Sequence, residues 1–173
     1  MKPKNIQKHI LNALIVLISF VSYGQISEGP PSTDFFPKKV DSIHFSVLDV
    51  VVKGMMSSEQ KEYEKQLKKV VLYKTDQESL MQLLSLDLSY SNSMALLPHH
   101  NLVFKLFKDG TIVTKIKIST LTGNIYIRDE KSEDLFFRNS CSSLFGNYLV
   151  GLLSKYPFLE LLKDGLLLEG LGH

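Results

Sequence analysis

LVFKLFKDGTIVTKIKISTLTGNIYI, residues 102–127, is the stretch on which the fold of this chain turns. Leu102, Phe104 and Leu106 alternate with Val103, Lys105 and Phe107, the period of two that a half-buried strand shows. Asp109-Gly110 then supplies the positive φ angles of a tight hairpin turn. Beyond it Ile112, Ile116 and Ile118 take one side, while Val113, Lys115 and Lys117 take the other. Thr122-Gly123-Asn124 offers a second turn and Ile125-Tyr126-Ile127 a third strand. The spacing predicts a three-strand antiparallel meander. Its apolar face carries Leu, Phe and Ile, and its wet face carries Lys105, Lys115 and Lys117.

Upstream, Ser42 to Val52 reads as a strand: Ile43, Phe45 and Val47 alternate with His44 and Ser46, and Val50-Val51-Val52 follows. Ser57 with Gln60 has capping-box spacing. Glu59 to Lys69 is mostly charged, with Tyr63 and Leu67 at i, i+4 and Glu64 placed to pair with Lys68. This predicts a short solvated helix, followed by a strand at Val70 to Tyr73. Thr75 with Glu78 repeats the capping spacing, and Leu80, Leu83 and Leu84 form a stripe, so a helix is expected over Asp76–Leu86. Ser89 to Ser93 reads as a loop.

Downstream, Ser132-Glu133-Asp134 looks like a helix start, with acids where the helix dipole favours them. Leu144/Phe145, Tyr148/Leu149 and Leu152/Leu153 recur every four residues. The pattern predicts one long amphipathic helix from Glu133 to about Lys155, lying across the apolar face of the meander. Pro157 to Lys163 suggests a shorter helix, and Leu166-Leu167-Leu168 a tail that docks on the core. The expected fold is α+β: an antiparallel sheet of three to five strands with a long C-terminal helix packed on one face.

The first residues concern destination rather than fold. Lys2, Lys4 and Lys8 precede an apolar run from Ile10 to Val21 that ends in Ser22-Tyr23-Gly24. This is the layout of a secretory signal peptide over residues 1–24, too short to span a bilayer. Residues 25–40, with Gly29-Pro30-Pro31, read as a linker or disordered lead-in to a single domain over 41–173. Removing the signal leaves 149 of 173 residues, with 17 Lys and Arg against 18 Asp and Glu. That balance disfavours nucleic acid as a partner. An exported protein, periplasmic or extracellular, with no stable membrane span after cleavage, is expected. Its single cysteine, Cys141, excludes an internal disulfide and reads as a small buried hydrophobe.

Chemistry is sparse. Adjacent His99 and His100 point to opposite sides of an extended chain, so they are expected to form the polar lip of the hairpin rather than chelate one ion. The other histidines of the mature chain are His44 and His173. No G-x-S-x-G, Walker or G-x-G-x-x-G pattern occurs, and there is no tryptophan for a carbohydrate platform. No catalytic, cofactor-binding or metal residues are assigned.

The ending Ser19-Phe20-Val21-Ser22-Tyr23-Gly24-Gln25 resembles export signals of Bacteroidetes-type Gram-negative bacteria. Val70-Val71-Leu72, a helix, Pro98-His99-His100 and the hairpin at Asp109-Gly110 together resemble small exported domains of those bacteria with no assigned activity. The resemblance implies a compartment and an α+β fold, and no reaction. The leading expectation is an exported, non-catalytic binding or interaction protein. Its partner, another periplasmic or surface protein, would meet the lysine-bearing face, an edge strand or the Leu166–Leu168 tail. Two other readings are a metal-assisted periplasmic hydrolase using His99 or His100, which requires His44 and a carboxylate to converge with them, and an inhibitor or immunity-type protein.

Overall fold

A computed structural model of the chain describes residues 36–53, 61–91, 100–130 and 136–162. Among these, seven strands form one antiparallel sheet: β1 (Ser42–Lys53), β2 (Lys61–Val71), β3 (Tyr90–Ser91), β4 (Leu102–Lys108), β5 (Thr111–Ile118), β6 (Asn124–Asp129) and β7 (Phe136–Cys141). Their order across the sheet is β2-β1-β4-β5-β6-β7-β3. Two short helices, α1 (Lys74–Leu84) and α2 (Ser143–Lys155), and two 3-10 turns complete the described chain.

The meander forms as its alternation predicts. β4 and β5 meet through Asp109 at φ 52° and Gly110 at φ 74°, the left-handed pair that a two-residue turn requires. One detail departs from simple alternation. A bulge between Leu106 and Phe107 shifts the register, so Val113 enters the core and Ile112 sits opposite Phe107 on the lysine-bearing side.

The core lies on one face. Ile43, Phe45 and Val47 of β1, Leu102, Phe104 and Leu106 of β4, Ile116 and Ile118 of β5, and Ile125 and Ile127 of β6 are buried there. Leu80 and Leu84 of α1 and Phe145, Leu149, Leu152 and Leu153 of α2 close over them. Phe45 stacks on Phe104 with centroids 4.4 Å apart, and Phe158 leans on the same ring at 4.9 Å. Phe36 is buried in this core, and Val40 packs against it. No described helix is long and apolar enough to cross a membrane.

Two expectations fail, and together they overturn the α+β layout of three to five strands with a long C-terminal helix. From Lys61 onward the predicted helix Glu59–Lys69 is strand β2, running on into the predicted strand at Val70. It pairs with β1 from His44↔Val71 to Lys53↔Lys61 and forms one edge of the sheet, where charged side chains are the usual protection against pairing with another chain. The described part of the predicted helix Glu133–Lys155, from Phe136 on, divides in two. Every residue of its apolar stripe lies within α2, while Phe136 to Cys141 forms β7 and pairs with β6 and β3. Ser142 separates them, its side chain accepting a hydrogen bond from the Phe145 N–H at the helix start. Ser132 lies outside the described residues, as do Ser57, Gln60 and the Leu166–Leu168 tail. The expected loop at Ser89 contains the two-residue strand β3, and α1 begins at Lys74 with no side-chain cap.

Candidate functional site

The face opposite the helices is built by register. Directly paired positions share a face, so one row runs Val71, His44, Lys105, Lys115, Arg128 from β2 to β6. The next runs Lys69, Ser46, Val103, Lys117, Tyr126. Lys105 and Lys115 are thus direct cross-strand neighbours, with Lys117 two residues along β5. Like charges directly opposite destabilise a sheet. No ion pair reaches Lys105 or Lys115 among the described residues. Burial, followed by the charge of Lys117, holds the Lys115 ammonium below its ordinary value, with Lys105 adding to the effect and Glu64 and Glu130 opposing it.

The long β1–β2 hairpin covers part of this face. β1 leaves β4 after Val47↔Leu102 but stays paired with β2 as far as Lys53↔Lys61. A bulge between Val47 and Leu48 marks the departure. Beyond it the arm leans over the sheet. The Glu64 carboxylate of β2 accepts a 2.5 Å bond from Lys117 Nζ of β5, although β1 and β4 stand between them in the sheet. Three strand spacings across a flat sheet are roughly 14 Å, too far for two side chains to meet without such a bend. Beneath the arm, Leu48, Val50 and Val103 form a second small apolar cluster. Lys117 keeps only 20 % of its side-chain surface exposed. Burial pushes the Glu64 carboxyl up, but the bond from Lys117 and the charges of Lys117, Lys115 and His100 outweigh this and hold it below its ordinary value.

The two described histidines, His44 and His100, do not converge. His44 sits opposite Lys105, with its ring 4.2 Å from that of Phe107. His100 lies five residues before Lys105, roughly 15 Å along an extended chain, with its ring 6.3 Å from that of Tyr126. His99 lies outside the described residues. His44 Nδ1 is buried without a hydrogen-bond partner among the described residues, and burial, then Lys69 and Lys105, lower its pKa. Among the described residues no three His, Cys, Asp or Glu side chains are grouped to hold a metal. Cys141 is a free, buried thiol whose pKa burial pushes up, the condition of an inert cysteine.

A second polar cluster ties the helices together. Tyr156 Oη accepts a bond from the Tyr73 N–H at 2.7 Å and donates to Asp76 Oδ2 at 2.5 Å. Lys155 Nζ pairs with Asp76 Oδ1 at 2.7 Å, and Tyr148 Oη donates to the Asp76 carbonyl. Tyr73 and Asp76 lie at the start of α1, Lys155 and Tyr156 at the end of α2 and Tyr148 in its middle, so the cluster joins the two helices.

Alternation marks out the wet-face lysines, whereas the helical spacing of Tyr63 and Leu67 hides Glu64. The signal that finds it is Glu62, Glu64 and Gln66 at a period of two, the polar face of a strand. Searches of protein-family models, of curated proteins and of solved structures return no match to the chain.

Proposed function

We propose that this chain is an exported, non-catalytic binding protein whose lysine-bearing sheet face holds an acidic partner. One observation carries the reading: Lys105 and Lys115 stand directly opposite each other, beside Lys117, without an ion pair to either among the described residues. A fold gains nothing from that placement, and a negatively charged ligand relieves it. The neighbouring Phe107, Ile112 and Tyr126 are half-buried on the same face and offer apolar contact beside the charge. The test is calorimetric titration of the protein with a glutamate-rich peptide. Lys105→Gln/Lys115→Gln should weaken binding at least about tenfold, and the charge-matched pair Lys39→Gln/Lys74→Gln, exposed elsewhere, should leave it nearly unchanged. Equal losses in both variants would reduce the effect to net charge and refute the site.

A further inference from the structure

Glu64 ion-pairs with the lysine group from the far edge strand of the sheet. It comes from the arm, crosses two intervening strands, and places a carboxylate on Lys117 beside Lys115. We propose that Glu64 is a built-in stand-in for the ligand, and that the site takes the carboxylates of an extended acidic peptide from a partner protein, which displace it. The inference rests on the binding role proposed above and names the ligand's chemistry.

Two observations support it. The occupant already present is a carboxylate on a strand, so the position accepts that group, delivered by an extended backbone. The spacing fits as well. Lys115 and Lys117 are alternate residues of β5, so their side chains repeat at about 6.6–6.8 Å. An extended peptide with acids at alternate positions has the same repeat and can lie along β5 with one carboxylate for each ammonium. The first would take the place of Glu64 on Lys117. The second would meet Lys115, which has no ion pair of its own among the described residues. Leu48, Val50 and Val103 still hold the arm when the ion pair is exchanged, so displacement needs only the side chain of Glu64 to swing away.

An internal competitor lowers apparent affinity by the fraction of time it holds the site. The experiment titrates a decapeptide alternating glutamate and serine into wild type, Glu64→Gln, Glu64→Ser and Asp49→Asn, with inorganic phosphate as a parallel probe at equal ionic strength. Asp49 is exposed on the arm, next in sequence to the inward Leu48 and Val50, and its variant removes the same charge without touching Lys117. Both Glu64 variants should bind the peptide roughly two- to fivefold more tightly than Asp49→Asn, the range an exposed ion pair commands. Equal affinities for the Glu64 and Asp49 variants, or weaker binding by the Glu64 variants, would overturn the stand-in role. Tightening seen with phosphate but not with the peptide would overturn the ligand class. Absence of peptide and phosphate binding by every protein, wild type included, would refute the binding role itself.

Discussion

Replacing Lys115 by methionine should make the protein more stable. Lys115 faces Lys105 across the β4–β5 ladder and has Lys117 two residues away on the same face, with no ion pair within reach among the described residues. A directly opposed like-charge pair costs about 0.2–1 kcal/mol in a sheet. Methionine keeps most of the aliphatic stem that covers the sheet and removes the charge. The expected gain is therefore about 0.5–1 kcal/mol, a rise of roughly 1–4 °C in Tm for a domain of this size. Thermal unfolding followed by circular dichroism measures it at low salt and at 1 M salt. Screening shortens the reach of charge to about 3 Å at the higher salt, so most of the difference should vanish there. A Tm that falls, by the same amount at both salt concentrations, would show that the ammonium is held by favourable contacts. The view of Lys115 as a stability cost retained for binding would then be refuted.

Further outcomes concern the core, the Tyr156 cluster and His44. Phe45→Ala removes a fully buried ring stacked on Phe104 and should cost about 3–5 kcal/mol in urea unfolding. Tyr156→Phe strips a partner from the Tyr73 N–H and from Asp76 and should cost about 1–3 kcal/mol. Burial and the bond to Asp76 push the Tyr156 hydroxyl up to about 12, so the unfolded chain ionises first and wild-type stability should fall above pH 10, less steeply in the Phe variant. His44 titrates below its ordinary 6.5 in the fold, because of burial and then Lys69 and Lys105, so the unfolded chain takes the proton first. Stability should decline as pH drops from 6.5 toward the folded value, and His44→Gln should flatten that decline in a Tm-versus-pH series.

The central meander was legible because each strand carries both signals at once, a period of two and a turn with left-handed residues. Its lysine-bearing face followed directly. β2 was not legible, because its apolar content is too low to declare a face, and Tyr63 and Leu67 mimic a helical i, i+4 pair. What makes it a strand is the ladder offered by β1, a contact remote from the local pattern. β7 was lost for the opposite reason. The strong stripe of α2 invited extension backward through Phe136 to Cys141, where Phe136 and Phe137 favour a strand. The bend that brings Glu64 to Lys117 depends on the bulge at Val47/Leu48, and no residue there announces it.

The most direct test of the binding face is a nitrogen–proton correlation spectrum of the isotope-labelled protein, recorded as the alternating glutamate–serine peptide is added. The account predicts that amide shifts concentrate on β4, β5 and β6 around Lys105, Lys115, Lys117 and Tyr126, together with Glu64 of the arm, and leave α1 and α2 still. No shifts at saturating peptide, or shifts centred on the helices, would contradict it.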